Sequence, residues 1–340
     1  MEERKPLVSI YCLAYNHEKY LRDCLDGLLM QKTDFPFEII VHDDASTDKT
    51  ADIISEYQIK HPDIIKAIYQ KENKHSQRIN VVAGYVYPIL RGEFIAICEG
   101  DDYWTDPEKL QLQINAMREH PECHFCVAGV EEVALDKTPL GYFHPNTKIN
   151  GEVIPSKEFI EYAGKYAFQT TSYIMRYEDW KGYICDPPEF RKASDMGDIT
   201  MMLYFGNIGP VAYVDRVMSC YRRGAPASFS ADRAAWSEAR RINHFERQLK
   251  VWTQYDEYSN GRYHAVCVKK VSDLMFGYYI LLKDAKTLVS KENREYFDLY
   301  SFPKKTYVYL ACVFKETIKK QYIRVMQGRD RKQLSRWKSV

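Results

Sequence analysis

Short apolar, β-branched runs alternate with segments of helical spacing through the first 133 residues, and this alternation limits the fold more than any other feature of the chain. Val8–Ala14 is the first run; Tyr20, Leu21, Cys24, Leu25, Leu28 and Leu29 follow at the spacing of one helix face, with Asn16 placed to cap that helix. Phe37–Val41 predicts a second strand, and Asp43-Asp44-Ala45-Ser46-Thr47-Asp48 supplies capping side chains for a helix over 49–60. A third strand is expected near Ile64–Tyr69 and a helix near 77–90. Glu93–Cys98 is a continuous apolar strand that stops abruptly at Glu99-Gly100-Asp101-Asp102. Thr105-Asp106-Pro107-Glu108 then opens a helix, with a capping oxygen, a first-turn proline and acidic residues at the positive end of the dipole. His124–Val133 is again strand-like. This order predicts an α/β fold, a mainly parallel sheet with helices on both faces and right-handed crossovers. Ligands bind such sheets beyond the carboxyl ends of the strands, where both acidic clusters fall.

Three carboxylates within four residues, at Glu99, Asp101 and Asp102, repel one another unless a cation lies between them. Hard oxygen ligands suit magnesium or manganese, which keep positions open for water and phosphate oxygens. The competing reading is a solvated acidic turn that caps the next helix, a task Asp106 already performs.

The segments VSIYCLAYN, IIVHDDASTDKT, GEFIAICEGDDYWTDPEKL and SDMGDITMMLYFGNIGPVAYVDRVMSCYR, in that order over roughly residues 6–230, together resemble the family-2 nucleotide-sugar glycosyltransferases of the GT-A fold. The resemblance implies that Tyr15 and Asp44 hold the nucleotide base, with Asp43 beside them, and that Asp101 and Asp102 contact ribose and a Mn2+ or Mg2+ ion on the diphosphate. It implies that Asp198 is the general base of a single inverting displacement; Asp195, three residues earlier, competes for that role or caps the helix. The implied donor is a UDP-sugar and the implied acceptor a hydroxyl of a glycan or lipid-linked glycan in bacterial surface polysaccharide synthesis. No nucleic acid is expected. Two departures stand out. Glu99 occupies the place of the usual first aspartate, and where relatives carry YRxH this chain reads Tyr221-Arg222-Arg223-Gly224-Ala225. Arg222 or Arg223 is therefore expected to contact the diphosphate through its guanidinium. Gln169, Thr170, Thr171 and Ser172 read as polar lining on the acceptor side, and His17 and His42 as surface or packing residues.

Other classes fit less well. A sugar-nucleotide nucleotidyltransferase would carry a GxGxR loop after the first strand, where this chain has Leu13-Ala14-Tyr15-Asn16; a P-loop and a GxGxxG motif are also absent. A non-catalytic binding or scaffold protein would have no need of Asp101, Asp102 and Asp198.

Beyond about residue 135 the pattern loosens, with Gln169–Met175 and Val211–Val214 strand-like and Ile199–Phe205 helix-like. It turns helical near 232, which places a boundary near 235, between a GT-A domain over 1–235 and a helical region over 236–340. The net charge of +1 conceals an asymmetry: residues 304–340 hold 11 Lys and Arg against 2 Asp and Glu, leaving 37 against 45 for the rest. In that tail Tyr307, Leu310, Phe314, Ile318 and Tyr322 form an apolar stripe beside Lys315, Lys319, Lys320 and Arg324, which either docks on an anionic membrane or packs on the body. With 45% hydrophobic and 14% aromatic residues, disorder and collagen-like repeats are excluded. Neither a membrane span nor a secretory signal is expected, so the predicted location is cytoplasmic, with peripheral contact at the inner face of the plasma membrane through 304–340. The nine cysteines are odd in number and scattered through apolar segments, as reduced core residues would be. Cys123-His124-Phe125-Cys126 has zinc-ligand spacing but no second half-site.

Overall fold

The computed structural model describes residues 5–165, 167–225, 235–282 and 284–313. Ten strands form one sheet: β1 Val8–Ala14, β2 Phe37–Asp43, β3 Ile65–Tyr69, β4 Phe94–Ile97, β5 Tyr103–Trp104, β6 Phe125–Val133, β7 Pro139–His144, β8 Val153–Ile154, β9 Ile174–Arg176 and β10 Val211–Arg222. Their order is β3-β2-β1-β4-β9-β6-β10-β5, with β7 on β6 and β8 on β10. β1 through β4 are parallel, β9 is antiparallel to both β4 and β6, and β10 is parallel to β6. β1, β2, β3, β4, β6 and β10 therefore all end on the same edge. The apolar runs are buried on both faces, as strands covered by helices must be. Val8, Ile10 and Cys12 of β1 meet Ile39, Val41, Phe94 and Ala96, and Leu21, Cys24, Leu25 and Leu28 of the helix Leu21–Leu29 close over them.

Local expectations fail where polar side chains found partners elsewhere. Asn16 does not cap the first helix; its backbone is left-handed, at φ 56°, and its side chain accepts from the Thr47 N–H at 2.8 Å. The helix expected near 77–90 is a wide turn, Val82–Val86, followed by a tight one, Tyr87–Ile89, since Gly84 and Pro88 disfavour a continuous helix. Within Gln169–Met175, Thr170–Ser172 is a turn, closed by a Ser172 Oγ hydrogen bond to the Gln169 carbonyl at 2.8 Å, and only Ile174–Arg176 is strand. Asp106 accepts from the Glu108 N–H at 2.9 Å, one turn ahead of the helix Lys109–Glu119. All nine cysteines are free.

Lys109 is an unexpected core residue. It is fully buried, donates to Gln113 Oε1 at 2.6 Å and lies 4.1 Å over the Trp104 ring, and burial lowers its pKa to about 7. Because the unfolded chain holds this proton up to the ordinary lysine range, stability rises with pH from about 7 to about 10.4. The shift represents roughly 5 kcal/mol at about 1.4 kcal/mol per unit, which exceeds the roughly 1–3 kcal/mol lost by orphaning the Gln113 oxygen. Lys109→Met is therefore expected to raise the melting temperature at pH 6 and to lose that advantage by pH 10. Equal gains at both pH values would contradict a buried charge.

The described chain falls into two compact units, residues of 1–187 with 201–234 and residues of 188–200 with 235–340. The second unit is helical, and its long helix Glu238–Tyr258 packs on His264–Leu281. Ser237 caps the former, accepting from the Arg240 N–H at 3.2 Å. Tyr307 of the helix Phe302–Val313 packs on Phe276, with ring centroids 5.8 Å apart, so the first residue of the apolar stripe is held within this unit. Phe314, Ile318, Tyr322 and the basic residues from Lys315 onward lie outside the described residues. Among the described residues no helix is long and apolar enough to cross a membrane.

Candidate functional site

The first two βα loops are laced together. Asn16 N–H donates to Ser46 Oγ at 2.9 Å, His17 N–H to Thr50 Oγ1 at 2.8 Å, and Glu18 N–H to Asp48 Oδ2 at 3.1 Å. Asp44 N–H donates to the Ala14 carbonyl at 3.0 Å, which seats the acidic pair beside half-buried Tyr15. Asp43 turns back on its own loop and accepts from Ser46 N–H at 3.3 Å. Asp44 accepts from the N–H groups of Lys74 and His75 at 2.8 and 2.9 Å, which ties its carboxylate to the 73–75 loop.

The acid loop beyond β4 lies alongside. Gly100 is required there, because a Cβ would stand 2.7 Å from His17 Nδ1 and 3.2 Å from the Leu13 carbonyl. Asp101 and Asp102 are buried, and burial followed by the charges of Asp101 and Glu99 pushes the Asp102 carboxyl well above its ordinary range. Glu99 turns away to accept from Thr170 Oγ1 at 2.9 Å, and Asp102 Oδ1 accepts from the Arg222 N–H at 2.9 Å. The expected three-carboxylate ligand set does not form: among the described residues no group of three or more His, Cys, Asp or Glu is placed to hold a metal ion. Asp101 and Asp102 alone still suit a hard cation whose remaining ligands are water and diphosphate oxygens.

Arg222 also departs from expectation. Its side chain is fully buried, donating to the Asp101 carbonyl at 2.5 Å and to Asp23 Oδ2 at 2.8 Å, between the rings of Tyr20 and Tyr103 at 4.7 and 5.0 Å. The guanidinium is thus a brace for the acid loop rather than an exposed phosphate ligand. Arg223 is half exposed and pairs with Glu132 at 3.1 Å. His17, read as a surface or packing residue, stands against Gly100 with Nδ1 buried and unpartnered. Burial lowers its pKa, opposed by the carboxylates of Asp101 and Asp48. Its place just beyond β1, on the edge that carries both acidic clusters, was the available signal. His42 is a core residue, 3.1 Å from Gln70 Nε2.

Asp198 begins the helix Gly197–Ile208 and belongs to the second unit, whereas Asp101 and Asp102 belong to the first. Burial raises its pKa, and the nearby Asp195 charge adds to the effect, both of which favour a proton on this carboxylate. Asp195 is not a free alternative. It pairs with His244 Nδ1 at 2.9 Å and accepts from Gln248 at 3.4 Å, and although burial acts upward, His244 holds its pKa below the ordinary value.

Residues 9–175 match the family model described as Glycosyl transferase family 2. An uncharacterized protein of Mycobacterium tuberculosis is 42% identical over 140 residues, 41% of this chain and 39% of its own. A glycosyltransferase provisionally assigned to teichuronic acid biosynthesis in Bacillus subtilis is 34% identical over 143 residues, 42% of this chain and 54% of its own. The matched segment thus spans about half, or less, of these relatives. Among solved structures, S. aureus TarS residues 1–349 in complex with UDP-GlcNAc superposes with a TM-score of 0.57 at 17% identity, covering 85% of this chain and 78% of that one. That likeness is one of fold.

Proposed function

We propose, from the match of residues 9–175 to the Glycosyl transferase family 2 model, that the protein is an inverting, metal-dependent glycosyltransferase of the GT-A fold that moves a sugar from a UDP-sugar to a glycan or lipid-linked glycan hydroxyl. The observation that carries the proposal is the acid loop at the carboxyl end of β4, where Asp101 and Asp102 are buried and braced by Arg222 within reach of the first two βα loops. UDP as the nucleotide follows the family resemblance of Tyr15 and Asp44, and the fold neighbour is itself described with UDP-GlcNAc.

Asp101 and Asp102 would hold Mn2+ or Mg2+, which when bound offsets charge developing on the departing diphosphate. In this reading Tyr15, Asp43 and Asp44 orient the nucleotide base, and Arg223, half exposed and paired with Glu132, is the arginine left available to the phosphates. Asp198 takes the acceptor proton; its raised pKa makes it a stronger base than an exposed aspartate once ionised. A role in bacterial surface polysaccharide synthesis at the cytoplasmic membrane face, with residues 304–340 touching the membrane, completes the reading.

The test is slow hydrolysis of UDP-sugars, monitored beside a melting-temperature panel of UDP, GDP, CMP and dTDP with and without manganese. A manganese-dependent rise with UDP and a leak of UDP from the donor are expected, because a ligand bound only by the folded state stabilises it. Full hydrolysis after EDTA treatment, or no response to any nucleotide, would overturn the proposal.

A further inference from the structure

The six co-directional strands end on one edge in the order β3, β2, β1, β4, β6 and β10, with the turn before antiparallel β9 lying between β4 and β6. Polar side chains follow that edge without a break past the acid loop. Thr170 holds Glu99, and neighbouring Gln169 lies 3.4 Å from His144 Nε2. His144 Nε2 is 2.8 Å from Glu132 Oε1, and Glu132 Oε2 meets Arg223 Nε at 3.1 Å. Arg223 follows Arg222, whose N–H returns to Asp102.

Glu132 is 5% exposed, and His144 at Oε1 and Arg223 at Oε2 hold its carboxylate in a fixed orientation at this edge. His144 Nδ1 is buried without a hydrogen-bond partner. A nucleotide sugar is a linear molecule. If its base lies over β1 and β2 and its diphosphate at the end of β4, its sugar must continue toward β9 and β6. β6 stands two strand spacings, roughly 10 Å, from β4.

We propose that Glu132, with His144 and Gln169 beside it, forms the subsite for the transferred sugar and selects a neutral, hydroxyl-rich hexose over a hexuronic acid; this rests on the glycosyltransferase reading above. A carboxylate accepts from sugar hydroxyls, and charge-assisted bonds of that kind are the strong ones. Among the described residues four carboxylates, Glu99, Asp101, Asp102 and Glu132, lie along this edge against Arg223 alone, since Arg222 is matched by Asp23, so a carboxylate at C5 of the sugar meets an excess of like charge.

The experiment is titration calorimetry of the full chain with Mn2+ and, separately, UDP, UDP-glucose and UDP-glucuronate. The wild type is expected to bind UDP-glucose at least about 10-fold more tightly than UDP-glucuronate. Glu132→Gln should weaken UDP-glucose by about 10–100-fold, leave UDP within about twofold, and narrow the gap to UDP-glucuronate. Retained UDP affinity shows that a variant is folded; should Glu132→Gln fail that check, Gln169→Ala, which leaves the ion pair intact, is expected to weaken UDP-glucose and not UDP. Unchanged UDP-glucose affinity in a folded variant, or wild-type preference for UDP-glucuronate, would overturn the subsite while leaving the transferase reading in place. Failure of the wild type to bind UDP at all would overturn both.

Discussion

Asp198→Asn is expected to lower turnover by roughly 10²–10⁴-fold while UDP affinity stays nearly constant, the loss typical of removing a general base. The amide keeps the shape of the side chain, including an oxygen to accept from the Ile199 N–H, now 2.8 Å from Asp198 Oδ1. Basicity is what changes. The substitution should also be tolerated by the fold, because burial already favours the neutral form of this group. Asp195→Asn is the contrasting variant. Its carboxylate is held by His244 and Gln248, so its loss should appear as a lower melting temperature with turnover largely kept. Steady-state rates and melting curves on both variants separate the roles, and a collapse of turnover in Asp195→Asn alone would move the base to that residue.

Asp102→Asn should act in opposite directions on activity and stability. Turnover is expected to fall by roughly 10²–10³-fold, with the manganese-dependent melting shift gone, since one of the two carboxylates that would hold the charge-offsetting cation is removed. The asparagine carbonyl can still accept from the Arg222 N–H, so the acid loop should keep its shape. The ligand-free protein should be more stable at neutral pH. A carboxyl whose folded pKa is raised stabilises the fold below its unfolded pKa and loses that contribution as pH rises through the folded value. The stability gain over wild type is thus expected at neutral pH and should fade toward pH 3. A variant less stable than wild type at pH 7 would show that the Asp102 charge supports the fold instead.

The strands were legible because covered parallel strands are apolar from end to end, as β1 and β4 are. The acidic clusters were legible because they interrupt those runs abruptly. The failures have a common origin. Asn16, Thr170 and Arg222 carry side chains able to bond either to neighbours in sequence or to distant backbone and side-chain groups, and all three took distant partners, at Thr47, Glu99 and Asp101. Lys109 was hidden for a related reason: a lysine beside an acidic helix start reads as surface, and only packing against Trp104 and Gln113 makes it core.

Local pattern therefore determined the α/β order, the sheet edge that carries the candidate site, and the identities of Asp101, Asp102, Asp43 and Asp44 upon it, since hydrophobic periodicity and strand ends are properties of neighbouring residues. Tertiary structure alone decided which charges are available there. It locked Arg222 between Tyr20 and Tyr103, turned Glu99 to Thr170, and drew Glu132, His144 and Arg223 into one cluster from separate strands and loops. The physical reason is burial: a polar group removed from water must find a partner, and the partner it finds lies wherever the folded chain brings one within about 3 Å.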